Sequence, residues 1–513
     1  MTPRSRQFAG GRSATLSREY KAARKNSTDF CALFPTSPTA TAYRTIYPVR
    51  SYAMATSIID SDFFKDHYST QEMRDIFEDK PKLQHRLDVE VALAQVQAEL
   101  GIIPKEAAAE ITAKAKVDLL DLDAFKDDLA KTGHHVVAMV RAVERLCENK
   151  YGEYVHYGVT SQDIIDTAIV LGMRDATKVF FRDAVTLEGY LIQLAEKYAS
   201  FPMAGRTHNQ HALPITLGLK FANWATELRR CIERMKDMSE RCFVILLHGA
   251  VGTLAGFGDD AYPILEGVAK KLRLGVPPNC WANARDSSAE FLCVLGVMSG
   301  CLARMANEIF VLSRTEVAEM HEPLSKTHVG SSTMPHKRNA IRCETAVAQS
   351  RLIQTNAMAG FTSMIGVHER DVRSWRVELL RIPESCVLLG KMFHTMLDIV
   401  GKLSISETNI TRNLDYLGGM ILSEAVMFHL AEKVGKQTAH HLVHEVTMIT
   451  EEDQRSFRQR LMESPEVRKH LTAEELENVL DYSKYLGQSV NEVKNSIAYC
   501  KSKSANDEQF ITM

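Results

Sequence analysis

Apolar positions along this chain recur every three to four residues rather than every second one. Leu217, Phe221, Trp224, Leu228 and Cys231 follow alternating spacings of four and three, and Leu302, Met305, Ile309 and Leu312 repeat the pattern. So do Leu422, Val426, Leu430 and Val434. Stripes of this period place one face of a helix in a core. The first stripe predicts a helix from near Pro214, and no stretch shows convincing strand alternation. The reading is therefore all-α, with long helices packed as a bundle. Breaks fall at 248–258, 274–279 and 328–335. The third runs into Gly330-Ser331-Ser332-Thr333-Met334-Pro335-His336-Lys337-Arg338-Asn339, which has no apolar stripe to bury and reads as a loop. Loops carried on rigid helices commonly hold chemistry.

Composition narrows the class. Of 513 residues 45% are hydrophobic and 25% charged, which excludes a disordered or fibrous chain. With 27 glycines and 15 prolines, turn-forming residues are fewer than usual, in line with long helices. No run approaches the ~18 consecutive apolar residues of a membrane span. A net charge of −2 offers no general attraction for nucleic acid. Ten cysteines without a C-x-x-C pair indicate neither a zinc site nor a disulfide framework, and a reducing compartment is expected.

Residues 1–57 stand apart. Nine basic residues face only Glu19 and Asp29, and the segment is rich in Ser and Thr with four prolines. That is the composition of an organellar transit peptide; a disordered tail, or a translated leader ahead of a start at Met54, is the other reading. The expected location is cytoplasmic or mitochondrial.

Eighteen histidines are present, and three groups lie among small polar residues: His134-His135, His156 before Thr160-Ser161, and His208 before Asn209-Gln210. A zinc site competes poorly, because H-E-x-x-H is absent and the i, i+4 pair His440/His444 has no acid or cysteine set beside it. A Ser/Lys/Asn loop with a distant histidine suits proton abstraction. Lys337 near a serine favours its alkoxide, Asn339 and backbone N–H groups can hold a developing carbanion, and a histidine of near-neutral pKa can protonate the leaving group. Neither the S-x-x-K of serine β-lactamases nor a G-x-S-x-G elbow occurs.

The segment GSSTMPHKRN at 330–339 resembles the signature loop of the fumarase/aspartase superfamily. HYSTQEM at 67–73, HYGVTSQD at 156–163, GRTHNQHALP at 205–214 and HERD at 368–371 carry the resemblance along nearly the whole folded chain. The carboxy-terminal SEAVMFHLAEKVGKQTAHHLVHE is similar to the adenylosuccinate lyase and 3-carboxy-cis,cis-muconate cycloisomerase branch. The resemblance implies a three-domain helical subunit with a long central bundle: 58–163, 164–411 with the signature loop at 328–340, and 412–513. It also implies a homotetramer with active sites shared between subunits, and anti β-elimination or a related addition without metal or cofactor. By position, Ser331 matches the base, Lys337 and Asn339 the stabilisers of substrate carboxylate and carbanion, and His208 the acid, oriented by Glu344. Tyr68, His134, His156, Thr160, Ser161, Gln210, Ser332, Met334, Arg370 and Trp375 match substrate-binding positions.

The branch is mixed. His134, His156 and His208 resemble adenylosuccinate lyases, as does Tyr68 with Glu72-Met73; many cycloisomerases carry Trp at the position of His208. Yet His67 replaces the arginine of the R-Y-x-x-x-E-M motif, and the phosphate-holding stretch after HERD reads Val-Arg-Ser-Trp375-Arg-Val-Glu378-Leu379. That resembles the W-x-x-E of cycloisomerases, and Trp281 likewise stands where adenylosuccinate lyases have a substrate-contacting Gln. Arg373, Arg376 or Arg381 are the candidates to replace the phosphate contacts. The expected activity is a cycloisomerase-like lyase on a small polycarboxylate. The alternatives are adenylosuccinate lyase itself, with a nucleotide-succinate as substrate, and a non-catalytic homologue of the crystallin kind. No nucleic acid or membrane partner is expected.

Overall fold

The computed structural model describes residues 55–323, 331–452 and 455–511, so most of the 1–57 tail and residues 328–330 of the signature loop lie outside the described residues. Two compact units are distinguished, Met1–Asp62 and Phe63–Met513. In the first, Ser57 caps a single 3-10 turn, Ile58–Asp60.

The second unit is built on helices α1 (Asp79–Glu99), α2 (His135–Glu144), α3 (Ser161–Lys197), then strands β1 (Pro202–Thr207) and β2 (Gln210–Thr216). After them come α4 (Leu217–Cys242), α5 (Asp286–Leu312), β3 (Met320–His321), α6 (Ile341–Ser363), α7 (Val372–Gly401) and β4 (Ser404–Ile405). Helices α3 to α7 pack side by side: α3 lies against α4 and α7, and α5 against α4, α6 and α7. Phe180, Phe221, Trp224, Phe291 and Phe393 fill the space between them, and burying a side chain of this size contributes roughly 1.5–3 kcal/mol. The predicted stripes are core: Leu302, Met305, Ile309 and Leu312 are all buried. A second core joins α1 and α2 through Leu87, Leu93, Val143 and Ile164. A third closes under α8 (Ser423–Val434) and α9 (Lys436–Glu452), around Leu422, Val426, Leu430 and Phe457.

The starts of the bundle helices are written in the sequence. Thr160 and Asp163 form a capping box at α3, the Thr216 hydroxyl accepts from the Leu219 N–H at α4, and Asp371 accepts from the Arg373 N–H at α7. Each satisfies donors that a helix start leaves unpaired.

Three features depart from the sequence expectation. Helix α4 starts at Leu217, because Pro214 belongs to β2. Strands do occur: β1 pairs antiparallel with β2, with an irregularity between Ala204 and Arg206, and β3 with β4. The turn between β1 and β2 is His208-Asn209, both at positive φ (50° and 62°). Two-residue hairpin turns of this kind are usually Asn-Gly, so the usual signal is missing. Finally, α5 is long and apolar enough by composition to cross a membrane, although its unbroken apolar runs fall well short of ~18 residues. Of its most apolar stretch, 67% is buried within the protein.

One buried ion cluster ties α3, α5 and α7 together. Arg285 donates from Nη1 to Asp166 Oδ2 at 2.7 Å and from Nε to Glu378 Oε1 at 2.9 Å, and all three side chains are at most 2% exposed. Removing the cation leaves two buried carboxylates facing one another without compensation. Arg285→Met is expected to cost about 3–5 kcal/mol, read as a fall in thermal melting temperature. An unchanged melting curve would show that the cluster is not structural.

Candidate active site

The hairpin carries His208 and Gln210 at an exposed tip. Its base is fixed on the buried Glu319: Arg206 Nη1 donates to its Oε2 at 3.0 Å, and Asn413 Nδ2 donates to its Oε1 at 2.8 Å. His208 adopts left-handed backbone, which is uncommon for any residue but glycine. Strain of this kind persists where surrounding structure holds it, often at functional sites.

The described part of the signature loop begins at Ser331. Its Oγ accepts from the Met334 N–H at 3.0 Å and from the Thr333 N–H at 3.4 Å. Two donors on one hydroxyl oxygen favour its anion, which lowers the cost of forming an alkoxide. Ser332, Met334 and Lys337 are exposed, and the loop runs into α6, where the buried Glu322 accepts from the Cys343 N–H at 2.6 Å. Glu344 sits in the first turn of α6, exposed.

A third cluster forms where α2, α3 and α7 begin. His134 caps α2: its Nδ1 accepts from the Val137 N–H at 3.3 Å. In the neutral ring the proton is then on Nε2, which stands 3.3 Å from Ser161 Oγ and donates to it. Arg370 donates from Nη1 to Thr160 Oγ1 at 3.0 Å. His134, Ser161 and Arg370, with Trp375, Arg376 and Leu379, line a cavity of about 440 Å³. Of the arginines considered for a phosphate, Arg373 is paired with Asp371, its own helix cap, and Arg381 with Glu384 at 2.7 Å. Arg376 alone of the three lines the cavity.

His156, at φ 64°, is held by Glu90: its N–H donates to Oε2 at 3.0 Å and its Nδ1 lies 2.7 Å from Oε1. Burial opposes charge on this ring, but the hydrogen bond and charge of the buried Glu90 outweigh it and raise its pKa. A raised folded-state pKa contributes stability that is complete below the unfolded value and is lost as pH rises through the folded one. The melting-temperature deficit of Glu90→Gln is therefore expected to be largest near pH 6 and to shrink toward pH 9. A deficit independent of pH would mean that Glu90 acts only by packing.

One chain thus brings together His134, Thr160, Ser161, Arg370 and Trp375. His208 and Gln210 are on the hairpin, Ser331, Ser332, Met334, Lys337 and Asn339 are in the loop, and half-buried Tyr68 ends the helix Lys65–Tyr68. Among the described residues no hydrogen bond joins Glu344 to His208. Trp281 is not a cavity residue: it is buried, and its Nε1 donates to the Ile245 carbonyl at 2.9 Å. Sequence reasoning overlooked Glu90, Arg86 and the role of His135. The His134-His135 doublet was the available signal for the last.

A protein-family model described as "Lyase" matches residues 66–354, and one described as "Adenylosuccinate lyase C-terminus" matches 419–495. N-acetyl-S-(2-succino)cysteine lyase of Dickeya dadantii is 38% identical over 446 residues, 87% of this chain and 98% of that one. Adenylosuccinate lyase of Pyrococcus horikoshii is 40% identical, covering 84% and 96%. Among solved structures, 3-carboxy-cis,cis-muconate lactonizing enzyme from Pseudomonas putida superposes with a TM-score of 0.81 at 34% identity, over 86% of this chain and 99% of that one.

Proposed function

The chain belongs to the fumarase/aspartase superfamily of lyases, and on that premise we propose that it eliminates fumarate from a small succinyl-substituted acid. Ser331 as alkoxide takes the proton from the succinyl carbon next to the substituted one. The bond to the leaving nitrogen or sulfur breaks, and His208 supplies that atom with a proton. Lys337 and Asn339 hold the succinyl carboxylate that carries the carbanion charge. In the same reading these elements come from different copies of the chain.

The cavity wall carries the preference for a small acid. A phosphate needs several charge-assisted donors to offset its lost hydration. Here Trp375 and Leu379 occupy the wall, Asp371 holds Arg373, and the arginines that line the space are Arg370, bonded to Thr160, and Arg376. The names of relatives give two succinyl compounds to compare, N-acetyl-S-(2-succino)cysteine and adenylosuccinate. Fumarate release measured on both is expected to give a kcat/KM at least about tenfold higher for the former, a difference of ~1.4 kcal/mol in transition-state binding. Faster release from adenylosuccinate would move the function to purine nucleotide synthesis.

A further inference from the structure

Behind His134 the cavity has a wall whose chemistry is not used by the elimination itself. His135 faces Arg86 from α1, His134 beside it, and Arg376 and Trp375 from α7. Arg86 Nη1 lies 3.1 Å from His135 Nδ1, and the ring centroid of Trp375 lies 6.1 Å from that of His135. A guanidinium donates and never accepts, so His135 Nδ1 is the acceptor and the ring is neutral with its proton on Nε2. Burial, helped by Arg86, His134 and Arg376, pushes the His135 pKa down to about 4, which agrees with that assignment. Trp375 adds an indole N–H that is buried and, among the described residues, has no hydrogen-bond partner. A buried donor left unpaired carries the full cost of its lost hydration. The wall therefore offers one neutral N–H donor from His135, one guanidinium from Arg376 and the apolar surface of Leu379 and Ile165, while Arg370, bonded to Thr160 Oγ1, brings a second guanidinium to the same cavity.

With Arg370 engaged by the succinyl carboxylates of the proposed elimination, what remains for the leaving half matches one singly charged acceptor group better than a doubly charged one. A carboxylate is neutralised by one guanidinium and completed by neutral donors, whereas a phosphate dianion would keep an uncompensated charge beside Trp375. Resting on the elimination proposed above, we propose that His135 and Arg376 are specificity-determining residues that read the leaving half of the substrate, selecting one with a single carboxylate. Arg86 is the positioning residue: it fixes the His135 tautomer without reaching the ligand.

Two measurements separate this from the proposed reaction. In steady-state kinetics on N-acetyl-S-(2-succino)cysteine, Arg376→Gln and His135→Phe are expected to raise KM about tenfold or more while kcat changes less than about threefold, because they hold the departing half and not the reacting carbon. Arg86→Met is expected to raise KM in the same sense, through loss of the tautomer. In thermal melting, N-acetyl-L-cysteine is expected to protect the wild type more than AMP does, and to protect Arg376→Gln and His135→Phe little. Melting of each variant without ligand checks that it folds. If the wild type releases no fumarate yet is protected in this selective way, the elimination fails and the wall assignment stands. If fumarate is released and the variants keep wild-type KM, the wall assignment is overturned. Stronger protection by AMP also overturns it.

Discussion

Replacing Ser331 with alanine is expected to lower turnover by about 10³–10⁴-fold, the upper part of the span for loss of a general base, without altering the fold. The hydroxyl is the atom on which two backbone donors converge, from Thr333 and Met334. That arrangement stabilises negative charge on the oxygen and has little to do with packing, since the loop around it is exposed. Alanine leaves two N–H groups that water can satisfy, so stability should stay within about 0.5 kcal/mol of wild type, as for other surface substitutions. Circular dichroism and melting check the second half, and fumarate release checks the first. Residual activity near wild type would remove Ser331 from the base position.

His208→Asn is expected to separate activity from stability. His208 and Asn209 form the hairpin turn at positive φ, and asparagine tolerates that backbone better than most residues. The melting temperature should therefore hold or rise, while expulsion of an amine leaving group slows by about 10²–10⁴-fold. A thiol, with an ordinary pKa of about 8.5, departs more readily as the anion, so the loss should be smaller for a thioether substrate. Stabilisation together with lost turnover is the mark of a residue kept for chemistry against local preference. If His208 and Ser331 of one site come from different copies, refolding equal amounts of His208→Asn and Ser331→Ala chains together should restore up to about a quarter of the activity. No restoration would place both residues on one copy.

Much of this fold is legible in the sequence because burial writes a period. The stripes at 217–231 and 302–312 are core faces, and Thr160, Thr216 and Asp371 announce helix starts through side-chain oxygens. The hairpin is not legible by the same route. Its strands are short, and its turn uses His-Asn, a choice that turn chemistry does not favour. The two tryptophans show the limit for the site. Trp281 and Trp375 both resemble cavity positions of the cycloisomerases, yet one donates to a main-chain carbonyl inside the protein and the other lines the cavity. That difference depends on what the helices bring opposite each ring. The same holds for Glu90, an ordinary-looking helix acid that meets His156 across 66 positions of sequence.

The central claim is that Ser331 drives release of fumarate from a small succinyl-substituted acid. Its most direct test follows the ultraviolet absorbance of fumarate as N-acetyl-S-(2-succino)cysteine is mixed with the wild type and, separately, with Ser331→Ala. Saturable fumarate formation by the wild type and none above background by the variant is the predicted result. Equal formation by both proteins, or release from adenylosuccinate alone, would contradict it.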